Sequence, residues 1–566
     1  MLRQTNNLIK QIYNHSMKFA SLLFVLLFPF LLLAQQKTKF NSSIPRPKLV
    51  VGLVVDQMRW DYLYRYADRY GKGGFKRLLN EGTSCENTSI QYIPTFTACG
   101  HASIYTGSVP AINGIAGNDW IEQSNGKSRY CTEDSTVQTV GSTSKAGQMS
   151  PRNLLSSTIG DELKLATNFR SKVIGIALKD RGGILTAGHS ADAAYWFDDL
   201  NGGWITSSFY MNDLPTWVKG FNSQKLPEKY LTQNWNTLYP LNTYKQSTTD
   251  DSPYEGKFKG EQKPIFPHII TEIKSLDFNS IRYSPFANTL TLDFAKAAIK
   301  EESLGKDEFT DLLAVSLSST DYIGHQFGPN AIEIEDTYLR LDRDLEAFFN
   351  YLDASVGAGN YTFFLTADHG AAHNPQFLID HKIPAGFWEP KNLQQQLSNN
   401  LEQKYKTKNL IRSFTNYQVH FNYPVIEAGK INLEALKKDC VDFLKKQDGV
   451  AFVVDLALVN QVALPTKLRE RVINGYNSKR SGEIQILLSP GVFQGYGRTG
   501  TTHGTWNPYD AHIPLVFMGW GIKKGTSLNR STAMSDIAPT ISALLHIQEP
   551  NGSIGEVISE VLSPEF

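Results

Sequence analysis

The chain has 566 residues, 56 basic against 55 acidic side chains for a formal net charge of +1, and 41% hydrophobic residues. That length holds one large α/β domain with insertions or two to three smaller domains, and the apolar content excludes a disordered chain. The even charge balance supplies no basic field for holding nucleic acid.

Near the N-terminus the apolar run FASLLFVLLFPFLLLA, Phe19 to Ala34, comes after Lys18 and precedes the polar QQKTK. This is the pattern of a secretory signal. It falls short of the roughly 20 apolar residues a membrane span needs, and Pro29 interrupts it. Residues 1–34 are therefore expected to be a cleaved signal, with Met17 the better start, and the mature chain to be periplasmic or secreted without a membrane anchor. Cys85, Cys99, Cys131 and Cys440 show no CxxC spacing and hence no thiolate zinc site. In an oxidising compartment they admit up to two disulfides, with every pairing open.

Four short runs are continuously apolar and end in polar residues: KLVVGLVV (48–55), KVIGIAL (172–178), DLLAVSLS (311–318) and YTFFLT (361–366). Continuous hydrophobicity is expected of strands covered on both faces, as in a parallel sheet. Between the last two, Ile334, Tyr338, Leu341, Leu345, Phe348 and Leu352 recur at helical period. Strand, helix, strand is the pattern of a doubly wound α/β fold with a mostly parallel sheet and helices on both faces. Two stretches depart from it, an aromatic-rich one at about 195–285 and a mixed one at 382–490. Both are expected to be insertions that cap a single catalytic domain covering 35–566.

The polar residues at the end of each strand carry the chemistry. Asp56 comes after the first run, Lys179 and Arg181 after the second, Ser319, Thr320 and Asp321 after the third, and Asp368 with His369 after the fourth. Open α/β sheets bind ligands at the carboxyl ends of their strands, so these groups are expected in one crevice. Asp321 and His325, four apart, fall on one side of a helical turn, and Asp and His together suit zinc. Lys179 and Arg181, two apart in a segment expected to be extended, would point the same way. Thr97 opens ACGHASIYTG, a short helix expected to end at Gly107; a hydroxyl there faces backbone N–H donors and the positive dipole end, although an ordinary Thr N-cap would look the same. Asn118, in GIAGND, can donate an amide hydrogen to a phosphate oxygen. His503 lies in a loop rich in Gly and Thr, while His268, His420 and His546 are expected to be structural and His373, His381 and His512 stay open.

Taken together, VVDQMRWDYL, PTFTACGHASIYTG, GIAGNDW, ALKDRGG, AGHSADAAYWF, STDYIGHQFGP, TADHG and GTTHGTWNPYDAHIPLVFMG resemble the type I phosphodiesterase and nucleotide pyrophosphatase branch of the alkaline phosphatase superfamily. Within it they are most similar to the PafA-type bacterial alkaline phosphatases. The motifs span about 48–200, 310–375 and 490–520, and leave the insertions uncovered. The resemblance implies two Zn2+ per chain, one held by Asp321, His325 and His503, the other by Asp56, Asp368 and His369 with Thr97 as its reacting ligand. It also implies hydrolysis of small-molecule phosphate monoesters through a phosphothreonine, with Asn118, Lys179 and Arg181 on the phosphate. A phosphodiesterase or nucleotide pyrophosphatase is the alternative. A sulfatase fits less well, because Ala98 and Cys99 come directly after Thr97. A remoter alternative is an inactive, metal-stabilised binding protein that uses the aromatic insertion. The sequence sets no oligomeric state.

Overall fold

In a computed structural model of the chain, residues 44–272, 277–495 and 498–564 are described, and the expected signal at 1–34 lies outside them. A ten-stranded sheet takes, in chain order, β1 (Leu49–Val55), β2 (Gly82–Cys85), β3 (Thr139–Val140), β4 (Val173–Ala177), β5 (Ala193–Asp198), β6 (Gly203–Ser207), β7 (Asp311–Leu317), β8 (Tyr361–Thr366), β9 (Leu515–Gly519) and β10 (Thr526–Leu528). Their spatial order is β10-β2-β9-β8-β1-β7-β4-β5-β6-β3. The central block β8-β1-β7-β4-β5 is parallel. On one side β9 and on the other β6 join it antiparallel.

Every residue of β1, β4, β7 and β8 is buried. Side chains alternate between the faces of a strand, so a strand with no exposed position is covered on both sides, as the four apolar runs required. The covering helices include α1 (Thr97–Thr106), α2 (Asp180–Ala187), α3 (Phe286–Glu301), α4 (Ser319–Phe327) and α5 (Ile332–Leu352). The stripe from Ile334 to Leu352 is the buried face of α5.

The aromatic stretch expected as an insertion from about 195 begins inside the main sheet, as β5 and β6. Aromatic residues suit strands, and every residue of β5 and β6 is buried: Trp204 stacks on Phe294 of α3 with ring centroids 4.3 Å apart. Trp196, Trp204 and Trp235 are all buried, so these three form core and no binding platform. The second stretch builds an antiparallel sheet of its own, in the order Ile411–Thr415, Gln418–Phe421, Ile484–Leu488, Val450–Asp455. Helices Pro390–Tyr405 and Leu433–Leu444 cover it, and Leu397, Leu401, Val419, Leu436, Cys440 and Ile484 pack between them as a separate apolar core.

Candidate metal centre and active site

The central strands end in register: Val55 pairs with Leu317, Val54 with Thr366, and Ala177 with Ser316. Asp56, Lys179, the start of α4 and Asp368–His369 are therefore delivered to one edge of the sheet. Helix α1 joins them closely. An ideal Cβ on its Gly100 would lie 2.5 Å from the Asp368 carbonyl oxygen, so a glycine is needed for the approach. Thr97 is the first residue of α1 and Phe96 is its N-cap, so the ordinary capping role for Thr97 does not apply. The Thr97 hydroxyl instead lies 3.4 Å from His369 Nε2.

Three imidazoles share one orientation. His369 Nδ1 donates to the Gly370 carbonyl at 3.0 Å, His325 Nδ1 to that of Thr501 at 2.9 Å and His503 Nδ1 to that of Thr95 at 2.7 Å. A carbonyl can only accept, so in the neutral ring each Nε2 carries the lone pair, the tautomer that metal-binding histidines use. Each Nε2 faces a carboxylate: His369 lies 3.3 Å from Asp368 Oδ2 and 3.6 Å from Asp56 Oδ1, His325 3.1 Å from Asp321 Oδ1, and His503 3.7 Å from the same oxygen.

Two sets of donors stand close enough to hold an ion, Asp56 with Asp368 and His369, and Asp321 with His369 and His503. The first is the set the resemblance implied. The second contains His369 where His325 was expected; the His369 and His503 rings stack with centroids 3.4 Å apart, and His325 stays beside Asp321. The residues fit a divalent ion. Among the described residues, Asp56 Oδ1 and Asp368 Oδ2 are buried without a hydrogen-bond partner, and buried carboxylate oxygens without partners are costly unless a cation meets them. Burial and the neighbouring Asp56 carboxylate raise the Asp368 pKa well above the usual range. Burial lowers His369 to about 4, despite Asp56 and Asp321, and drives His503 well down. For Asp321 burial opposes ionisation, but His325 and Lys179 outweigh it and hold the carboxyl well below the usual range.

Lys179 Nζ lies 2.6 Å from both Asp56 Oδ2 and Asp321 Oδ2. Arg181 does not sit in an extended segment as expected: Lys179 is the N-cap of α2, and the helix has begun at Asp180. Arg181 Nη1 reaches the Tyr130 hydroxyl at 2.9 Å. Asn118 Oδ1 accepts the Ala98 N–H at 2.9 Å, one residue past Thr97.

Two neighbours were missed. Gln57 donates from Nε2 to Asp321 Oδ1 at 2.6 Å and from its backbone N–H to Asp368 Oδ1 at 3.1 Å. His101 donates from Nδ1 to the Thr97 carbonyl at 2.8 Å and accepts from the Ser316 hydroxyl at 2.7 Å. His101 stands one helical turn after Thr97, a spacing the sequence displayed. His373, His381 and His512 bond to Asn330, the Phe377 carbonyl and the Glu86 carbonyl, and belong to neither donor set. All four cysteines are buried and free.

Fold and site define a hydrolase of phosphoric esters with a metal-binding centre. The profile of the type I phosphodiesterase / nucleotide pyrophosphatase family matches residues 50–510, and the chain belongs to that family. The alkaline phosphatase PhoV of Synechococcus elongatus is 55% identical over 93% of this chain and 95% of its own length. The alkaline phosphatase PafA of Elizabethkingia meningoseptica is 52% identical over 94% of this chain and 97% of its own. The crystal structure of wild-type PafA superposes with a TM-score of 0.90, covering 92% of this chain and 100% of that one. A protein of Myroides odoratus named a calcium-transporting ATPase is 58% identical over 94% of this chain and 97% of its own; among the described residues here, no helix is long and apolar enough to cross a membrane. Family, fold and relatives together make the chain a phosphoric monoester hydrolase of the alkaline phosphatase type.

Proposed function

We propose that the chain hydrolyses phosphate monoesters through a phosphothreonine at Thr97, with two zinc ions held by Asp56, Asp368 and His369 and by Asp321, His325 and His503. The support is one convergence: three buried carboxylates and three imidazole Nε2 lone pairs turned toward one another beside the Thr97 hydroxyl. Zinc takes nitrogen and oxygen donors of this kind, and when bound it lowers the pKa of a nearby hydroxyl and neutralises the leaving oxygen.

Thr97 Oγ loses its proton and attacks phosphorus. The bond from phosphorus to the ester oxygen breaks as the bond to Thr97 forms, and the alcohol departs. Water then attacks the phosphothreonine from the opposite side, which releases inorganic phosphate and restores the hydroxyl. Two inversions retain configuration at phosphorus.

The Asn118 amide accepts from Ala98 through its oxygen, which leaves the NH2 end to donate to a phosphoryl oxygen. Lys179 and Arg181 supply cationic donors, which a dianionic monoester uses more fully than a singly charged diester. A solved PafA variant carries substitutions at a threonine, an asparagine, a lysine and an arginine, the four residue types proposed here. Export behind the signal at 1–34 completes the proposal, with small phosphate esters as substrates.

Acid-quenched enzyme exposed to an aryl phosphate should carry the phosphoryl group on the peptide containing Thr97, and the aryl phosphate should be hydrolysed faster than its diester analogue. A Thr97→Ala protein with full activity would overturn the nucleophile, and a diester preference would return the chain to the phosphodiesterase reading.

A further inference from the structure

Asn118 leads into a hairpin whose arms are Asp119–Ile121 and Ser128–Tyr130, with Asp119 paired to Tyr130. On the facing arm, beside Asp119, the Tyr130 hydroxyl donates to Asp180 Oδ1 at 2.9 Å and accepts from Arg181. One loop thus fixes two of the three proposed phosphate contacts. The inserted four-stranded unit grips this loop. Arg412 Nη1 donates to the Gly126 carbonyl at 2.9 Å, the Gln123 N–H donates to the Lys479 carbonyl at 3.0 Å, and the Arg480 guanidinium lies 4.6 Å from the Trp120 ring centroid.

Nearest the phosphate contact is Asn416. Its Nδ2 donates to the Asp119 carbonyl, the residue after Asn118, at 2.8 Å, and an ideal Cβ on Gly117 would lie 2.3 Å from the same nitrogen. The backbone on either side of Asn118 therefore rests on one amide. Asn416 and Tyr417 form the two-residue turn between Ile411–Thr415 and Gln418–Phe421, both with φ of 58°. Such a turn needs two left-handed residues, and Asn adopts that conformation readily. Asn416 can therefore be changed to residues that keep the turn and lose the amide.

The geometry points to Asn416 as a positioning residue for phosphate recognition: it holds the Asp119 carbonyl, sets the direction of the Asn118 amide, and makes the inserted unit part of the substrate site. This rests on the reading of Asn118 as a phosphate contact. Misplacing a binding group by about 1 Å costs up to roughly 100-fold in rate.

Asn416→Gly keeps the left-handed turn without a donor, and Asn416→Asp keeps the turn with an acceptor facing the Asp119 carbonyl. In metal-loaded full-length protein of unchanged thermal midpoint, both should lower kcat/KM for an aryl phosphate by about 5- to 100-fold and raise the inhibition constant of inorganic phosphate in parallel. In an Asn118→Ala background the same changes should cost less than about 2-fold, since residues acting through one another do not add. If Asn118→Ala impairs the enzyme while both Asn416 variants match wild type, or if the losses multiply in the double variant, the positioning role is overturned and the Asn118 reading survives. If Asn118→Ala itself changes nothing, it is the Asn118 reading that fails.

Discussion

Two buried carboxylate settings in this fold are finished differently. Asp336, on α5, has a donor for each lone pair it turns inward: Trp235 Nε1 at 2.7 Å and Arg340 Nε at 2.6 Å on Oδ2, the Leu238 N–H at 2.6 Å and the Tyr244 hydroxyl at 2.5 Å on Oδ1. Asp56, Asp321 and Asp368 are also buried, yet among the described residues Lys179 is the one ammonium beside Asp56 and Asp321, and Asp56 Oδ1 and Asp368 Oδ2 have no hydrogen-bond partner. An unpaired buried carboxylate costs several kcal/mol, so such a surplus opposes folding unless cations answer it. Burial and charge are common to both settings. Orphaned oxygens alone do not mark the seat of a metal, since Asp198 Oδ2, Glu255 Oε2 and Asp510 Oδ1 share that state outside both donor sets; the distinguishing feature is that those of Asp56 and Asp368 meet each other and an imidazole Nε2.

The comparison breaks most sharply at the nucleophile. Thr97→Ala should lower kcat on aryl phosphates by about 10,000-fold or more while metal content stays at the wild-type value; a drop below about 10-fold would detach the surplus charge from catalysis. Next comes the surplus itself. Asp368→Asn should reduce metal content by tenfold or more, at about the scale of a lost ligand interaction, and should raise the melting temperature of chelator-treated protein, because an amide removes a charge that burial and Asp56 already disfavour. Lower stability in the metal-free variant would mean that the aspartate is a structural anchor after all.

The strands and the groups at their ends were legible because both signals are local: a continuous apolar run, then a polar residue at its end. The helix of α5 was legible through its buried stripe for the same reason. The start of the aromatic stretch is not legible as sheet because Tyr195, Trp196, Phe197 and Trp204 suit a sheet strand as well as a cap, and the ring that packs on Tyr195 and Trp204, Phe294 of α3, lies far along the chain. The helical position of Arg181 is not legible, because the run KVIGIAL gives no sign that a helix starts at Asp180. The stack of the His369 ring on that of His503 joins two segments that no spacing links. The hold of Asn416 on the Asn118 loop joins residues 297 positions apart and leaves no local mark.

Asp336 sharpens the comparison from the other side. Asp336→Ala strips partners from Trp235, Tyr244, Leu238 and Arg340 together, and removing one member of a buried charged network costs about 3–5 kcal/mol. Chemical denaturation should show that loss, while metal content and kcat of the folded fraction stay at wild-type values. A parallel loss of metal would merge the two settings into one.

His268 gives the smallest effect and a sign that can be checked. Its ring bonds to Glu261 at 3.0 Å and to Glu333 at 3.1 Å. Burial alone would depress the imidazole, but the two carboxylates outweigh it and raise its pKa from 6.5 to about 9. A cation held more tightly folded than unfolded stabilises fully below about pH 6.5, and that stabilisation, on the order of 3 kcal/mol, is lost as pH rises through about 9. Denaturation midpoints should therefore fall between pH 7 and 10 in wild type and fall less steeply in His268→Gln. Equal slopes would show that His268 is neutral in the folded chain, which would place its carboxylates with those of Asp56 and Asp368 among the unanswered charges.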